Sequence, residues 1–214
     1  MAYRETEKVR QRKQEARNRI LECAYACVAE GGFRSAQITA VASRAGIATG
    51  TIYRYFDSKE ELFAEIFRLA TQREVDKVAE ALAGAGPAAA RLEAALRRFA
   101  DRALRGPVMA WALIAEPVDP RVETERLQYR RAYADLFEKA IKEGIADNSI
   151  PAQDARLSST CLVGAIAESL VGPLSPGHLE MTRNGNGNPQ AVTDKSLVDT
   201  IIHFCMQGLT GIRR

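Results

Sequence analysis

The chain has 214 residues, enough for one or two modest domains that each bury a core, and its charge is nearly balanced, with 30 Lys and Arg against 27 Asp and Glu. The balance hides an asymmetry: residues 1–60 hold 11 basic and 7 acidic side chains and the remainder hold 19 and 20, so the positive end is N-terminal. No uninterrupted apolar run of about 18 residues is present and the N-terminus is charged, which argues against a membrane span or signal peptide and predicts a cytoplasmic protein whose Cys23, Cys27, Cys161 and Cys205 are reduced.

Residues 1–16 carry charges of both signs and are expected to form a partly disordered arm, either a solvated tail or a strand of positive charge laid along nucleic acid. A helix is predicted from Arg17 to Glu30, with Ile20, Leu21, Ala24, Cys27 and Val28 as its inner stripe, ended by Gly31-Gly32, after which Phe33 packs beneath the next elements. Cys23 and Cys27 share an i,i+4 face, but the two histidines, His178 and His203, lie far along the chain. The cysteines therefore read as small core residues, with no metal and no cofactor expected.

Ile38 to Arg44 places Ile38, Val41 and Ala42 on one face of a short helix. In the turn Ala45-Gly46-Ile47, Gly46 stands where the helix ends in a left-handed conformation that glycine adopts without steric cost. A second short helix, Thr49 to Tyr55, turns Ile52 inward and exposes Thr49, Gly50, Thr51, Tyr53, Arg54 and Tyr55. Asp57 or Ser58 then caps a long helix whose Glu60 and Glu61 suit the positive end of its dipole. Two short helices about a glycine turn form a helix-turn-helix, whose second helix enters the DNA major groove.

The run Gly32-Phe33, Val41-Ala42, Ala45-Gly46-Ile47, Gly50-Thr51-Ile52-Tyr53, Tyr55-Phe56 and Ser58-Lys59-Glu60-Glu61-Leu62 resembles the DNA-binding domain of the tetracycline-repressor (TetR) family over about Arg17–Phe63, nearly without gaps. The resemblance implies an all-α homodimeric repressor, its three-helix DNA-binding domain at residues 17–63 (motif about 37–56) and its larger helical domain for effector binding and dimerisation at residues 64–214. It departs from the family at Gln37 and Ala48, where many members carry Thr or Ser that caps the motif's helices, so those two helix starts are expected to be less well held.

The remaining helices follow from 3- and 4-residue spacing. Lys59 to Leu82 carries Leu62, Phe63, Ile66, Phe67, Ala70, Val75, Val78 and Leu82, and is expected to be the one mechanical link between the two ends of the molecule. Ala88 to Leu104 keeps Leu92, Ala95, Leu96, Phe99, Ala100 and Ala103 on one side. Val108 to Glu116 is short and apolar and holds the single Trp, Trp111. Arg121 to Ala146 presents Tyr129, Tyr133, Leu136, Phe137, Ala140 and Ile141. Ala152 to Val171 is rich in small residues and is expected to stop at Gly172-Pro173. Ser175 to Asp194 reads as a mobile loop and Lys195 to Leu209 as the last helix. No stretch alternates with period 2, so no sheet is expected.

On the recognition helix, Thr49, Thr51 and Tyr53 can meet phosphate or a thymine methyl, Gly50 lets the backbone approach, and Arg54 can take a guanine or grip a phosphate. By resemblance, Thr39 matches a position that touches bases in some relatives, and Tyr55 and Lys59 match positions that hold the DNA backbone. One motif reaches only a few base pairs, so a homodimer on a palindromic double-stranded operator is expected. The last two helices supply its interface, with Cys161, Gly164, Ala165 and Glu168 on one and Ile201, Ile202 and Cys205 on the other. Phe67, Phe99, Met109, Trp111, Tyr129, Tyr133 and Phe137 come from several helices, and with the resemblance they suggest a pocket for a small hydrophobic or aromatic effector, with Glu116, Arg126, Arg130 and His178 as candidates to orient it. No Ser-His-Asp set, phosphate loop or metal cluster points to an enzyme. The other open reading is an effector-independent DNA-organising or interaction protein of the same fold.

Overall fold

The computed structural model describes residues 7–183 and 194–211, and every element within them is a helix. In order these are α1 (Glu7–Ser35), α2 (Ile38–Ala45), α3 (Thr49–Ile52), α4 (Lys59–Leu82), α5 (Ala88–Arg105), α6 (Pro107–Ile114), α7 (Pro120–Ala146), α8 (Ala155–Leu174), α9 (Pro176–Arg183) and α10 (Asp194–Thr210).

α1 starts at Glu7, ten residues before the expected start at Arg17. Residues 7–16 are helical rather than a loose arm, because nothing in them breaks a helix and Gln11–Glu15 and Gln14–Asn18 bond across single turns. Residues 1–6 of that expected arm lie outside the described residues. At its other end α1 kinks at Gly32, whose φ of 74° and ψ of 178° need glycine, and a last turn follows to Ser35.

α1, α2 and α3 close over the start of α4. Ile20, Ala24, Val28, Val41, Ile52, Phe56, Leu62 and Ile66 form this N-terminal core. A second core gathers Val75, Val78 and Leu82 of α4 with Leu92 and Leu96 of α5, Phe137 and Ile141 of α7, Ile166 and Leu170 of α8, and Val198, Ile201 and Ile202 of α10. α4 thus contributes to both cores, as its length predicts.

It is not the only link. Ala112 of α6 and Val122 of α7 are buried in the N-terminal core, with Met109 and Leu113 packed against it, so α6 is wedged against α1 as well. The sequence pattern of α6, apolar on all sides, shows burial but not against what.

Two further expectations are corrected. α8 runs through Pro173 to Leu174, and Pro176–Arg183 forms α9 where a loop was expected; residues 184–193 of that loop lie outside the described residues. By length and composition alone α8 is apolar enough to cross a bilayer, with mean hydropathy 1.4, but its Leu162, Val163, Ile166, Leu170 and Leu174 are packed into the second core. All four cysteines are free thiols, and among the described residues no three His, Cys, Asp or Glu come together as a metal site would require.

Candidate DNA-reading face and ligand cavity

The helix-turn-helix is built on buried anchors. Gly46 ends α2 in the left-handed region (φ 69°, ψ 36°), and its N–H returns to the carbonyls of Ala42 and Ser43. Ile52 is fully buried and Phe56 nearly so, which fixes the angular position of α3. Beneath them Arg17 of α1 forms a two-pronged ion pair with Glu65 of α4 and lies 4.8 Å from the Phe56 ring centroid. Arg44 of α2 pairs with Glu30 of α1 at 2.6 and 3.0 Å.

α3 proper covers only Thr49–Ile52; hydrogen-bonded turns carry the chain on to Phe56, with the N–H groups of Tyr55 and Phe56 both donating to the Ile52 carbonyl. The expected seven-residue helix is therefore a single α-turn with a tightened end. Neither Gln37 nor Ala48 caps its helix with a side chain, so those starts rest on backbone geometry and packing, and Gln37 instead donates to the Arg34 carbonyl at 3.5 Å. α4 has the opposite character: the Ser58 hydroxyl accepts the Glu61 N–H at 3.1 Å while the Glu61 carboxylate accepts the Asp57 N–H.

Thr39, Thr49, Gly50, Tyr53 and Arg54 are exposed together on this surface, with Thr51 and Tyr55 half-buried beside them. A Cβ placed on Gly50 would meet no protein atom within 4 Å, so packing inside the chain does not require glycine there. Lys59 stands at the start of α4 with Nζ 5.4 Å from the Phe63 ring centroid, half-exposed.

The second site is a half-open cavity of about 330 Å³ lined by α4, α5, α6, α7 and α8 and by Tyr25 of α1, at the lower end of the roughly 300–1,000 Å³ usual for small-molecule sites. Six of the seven expected residues line it: Phe67, Phe99, Met109, Tyr129, Tyr133 and Phe137. Trp111 does not. Met109, Ala110, Leu113 and Ile114 occupy the face of α6 that meets the cavity, and Trp111 falls on another side of that helix, packed half-buried against the second core.

Polar groups reach the same space. Glu74 and Arg102 form a two-pronged pair at 2.6 and 2.7 Å, which raises the pKa of the Arg102 guanidinium. Arg105 and Arg130 also line the cavity, are exposed, and pair with no carboxylate among the described residues. Arg126 is buried, which pulls its pKa down. It pairs with Glu123 and donates to the carbonyls of Leu113 at 3.0 Å and Glu116 at 2.7 Å. Of the other candidates to orient a ligand, Glu116 is buried but spends its carboxylate on the backbone of α1, and His178 is exposed on α9, away from the cavity. Sequence reasoning missed Glu74, Arg102 and Arg105, which helical spacing alone assigns to outer faces.

The expected dimer residues divide. Cys161, Gly164 and Glu168 are exposed and Ala165 half-exposed along one side of α8. Ile201, Ile202 and Cys205 are instead buried within their own chain, at 5%, 2% and 3% exposure, and burial pushes the Cys205 thiol up to about 11. The open apolar positions of these two helices are Leu157, 61% exposed, and Phe204, 67% exposed.

Residues 20–66 match the bacterial regulatory proteins of the tetR family, and residues 85–170 match the tetracyclin repressor-like C-terminal domain. The HTH-type transcriptional repressor KstR of Mycobacterium tuberculosis is 32% identical over 139 residues, 62% of this chain and 61% of that protein, so the match spans less than two thirds of its length. KstR2 of the same species is 32% identical over 136 residues, covering 60% of this chain and 68% of that one. The fold is shared with the transcriptional regulator FadR of Bacillus subtilis, solved in complex with stearoyl-CoA, at a TM-score of 0.65 and 20% identity over 86% of this chain and 97% of that chain.

Proposed function

Because the chain belongs to the TetR family of bacterial regulatory proteins, we propose that it is a cytoplasmic repressor that occupies a near-palindromic operator as a homodimer and leaves it on binding an acyl thioester of coenzyme A. The observation that carries the effector class is the cavity itself: an apolar chamber with two exposed arginines, Arg105 and Arg130, that no carboxylate among the described residues neutralises. Such a chamber accepts an apolar body inside and phosphate groups at its charged edge. The stearoyl-CoA bound by a protein of the same fold supports the same class.

The site residues take these roles in the proposal. Thr49, Thr51, Tyr53 and Arg54 read or grip the major groove, Gly50 lets the backbone approach, and Thr39, Tyr55 and Lys59 hold the flanking DNA. α8 and α10 pair with their copies through Leu157, Cys161, Gly164, Ala165, Glu168 and Phe204. The effector acts through two walls of the cavity that also belong to the N-terminal core, Phe67 on α4 and Met109 and Leu113 on α6. Ligand contacts there favour one orientation of α4 and α6 over another and so reset the distance between the two recognition helices, whose half-sites on the duplex are fixed. The effector-independent reading gives no role to the unneutralised arginines.

The test is capture of genomic fragments by the purified protein, followed by anisotropy titration of the best fragment with dodecanoyl-CoA, coenzyme A or dodecanoate added. Release by the thioester alone, at concentrations that rise in Arg105→Ala and Arg130→Ala, is the expected result. A bound operator indifferent to all three would overturn the effector assignment.

A further inference from the structure

Tyr133 is 9% exposed, lines the cavity, and its hydroxyl makes no hydrogen bond to any described residue. Tyr129, one turn earlier on α7, shows the ordinary outcome: its hydroxyl donates to the Arg68 carbonyl at 3.1 Å. The Tyr133 ring is held in place, edge-on to Phe99 with centroids 5.5 Å apart and tilted against Phe137 at 6.4 Å, within a wall of buried apolar side chains. Phenylalanine would pack there equally well without leaving a buried hydroxyl unmatched, so the hydroxyl calls for a partner from outside the chain.

A second donor lies on the same surface. Arg102 spends Nε and Nη2 on Glu74, which leaves Nη1 uncommitted, and the charges of Glu74 and Arg102 are both felt at Tyr133. Burial also raises the pKa of the Tyr133 phenol far above its ordinary value, so it stays neutral and keeps its proton to donate. A buried phenol and a guanidinium nitrogen that both keep a proton to donate describe one half of a recognition element.

Resting on the reading of this cavity as the effector site, we propose that the effector carries an oxygen acceptor, a keto or hydroxyl group, on its apolar body, and that Tyr133 with Arg102 recognises it inside the cavity. A site built to hydrogen-bond a substituent rejects the analogue that lacks it more strongly than an apolar wall rejects an extra methylene. The repressor therefore responds to oxygenated acyl groups ahead of fully saturated ones.

The experiment titrates the full-length protein, by calorimetry, with dodecanoyl-CoA and with the series of hydroxydodecanoyl-CoA isomers in which the hydroxyl is walked along the chain, in wild type and Tyr133→Phe. The expected result is one position in the series that binds about tenfold tighter than dodecanoyl-CoA, equivalent to about 1.4 kcal/mol. That advantage, read within each protein as the ratio of the two affinities, disappears in Tyr133→Phe, and an unchanged thermal melting midpoint shows that the variant is folded. If dodecanoyl-CoA binds and no isomer exceeds it, this inference falls and the thioester reading stands. If the advantage persists in Tyr133→Phe, the assignment to Tyr133 falls. If no thioester binds at all, both readings fall together.

Discussion

The carboxylate of Glu116 accepts the backbone N–H of Phe33 at 2.9 Å, and its other oxygen accepts that of Arg34 at 2.8 Å. These two N–H groups lie just past the kink at Gly32, so the carboxylate from the end of α6 supplies acceptors at the kink. The contact is tight enough that a Cβ on Gly32 would stand 2.7 Å from the nearer Glu116 oxygen. The Glu116 carbonyl in turn accepts from Arg126, a cavity residue. A continuous set of hydrogen bonds therefore runs from the cavity wall to the first helix of the DNA-binding unit, independent of α4.

Glu116→Ala leaves the buried N–H of Phe33 and the part-buried N–H of Arg34 without this acceptor, and an unmatched buried group costs about 1–3 kcal/mol. Urea denaturation of the variant is expected to show a loss in that range, with Glu116→Gln losing less because one amide oxygen still accepts. Gly32→Ala should be as damaging, since its φ of 74° and the Glu116 contact both oppose a side chain. An unchanged midpoint in Glu116→Ala would show that the kink does not depend on this carboxylate.

Gly50 separates folding from binding. Nothing within 4 Å opposes a Cβ there, so Gly50→Ala is expected to fold normally and to gain up to about 0.5–1 kcal/mol from helix propensity. If the backbone of α3 lies against DNA, operator affinity nevertheless falls tenfold or more. Thermal melting and anisotropy on the same preparation decide the matter: intact affinity would place Gly50 away from the groove.

In the proposed interface Lys59 belongs to the sequence-independent part. Lys59→Ala is expected to weaken binding to operator and non-operator DNA alike and to lower the slope of log affinity against log salt by about one unit. Arg54→Ala, if Arg54 reads a base, should instead lose affinity for the operator selectively. Equal loss on both DNAs would make Arg54 a second phosphate contact, and an unchanged slope in Lys59→Ala would remove Lys59 from the interface.

The helix-turn-helix was legible because each of its parts has a local cause. Gly46 has to close α2, Ile52 and Phe56 have to face inward, and Ser58 with Glu61 has to start α4, whatever the rest of the chain does. The cavity was legible only in its aromatic wall. Arg102 and Arg105 sit at spacings that put charge on an outer face, and only the packing of α4, α6 and α7 around α5 turns that face toward a half-open cavity. Trp111 misled for the opposite reason: α6 is apolar all round, so its composition does not say which side meets the cavity. The same limit applied to α10, where Ile201, Ile202 and Cys205 are as apolar as an interface needs, yet the chain's own α5 and α8 already cover that side.

That redistribution sharpens the dimer prediction. With Ile201, Ile202 and Cys205 inside the monomer, the apolar area left on the last two long helices is concentrated at Phe204 and Leu157. A large exposed aromatic side chain such as Phe204 is the one whose burial contributes most on pairing. Phe204→Asp places a charge at that contact without touching either core. It is expected to leave the helical signal unchanged, to shift the protein toward monomer in light scattering, and to abolish tight operator binding while sparing weak, salt-sensitive binding to any DNA. Cys161, exposed on the adjoining α8, provides a parallel readout: its alkylation by iodoacetamide should be slow in wild type and fast in Phe204→Asp, whereas buried Cys205 stays inert in both. Fast labelling of Cys161 in wild type, together with a dimeric mass in both proteins, would move the interface to another surface.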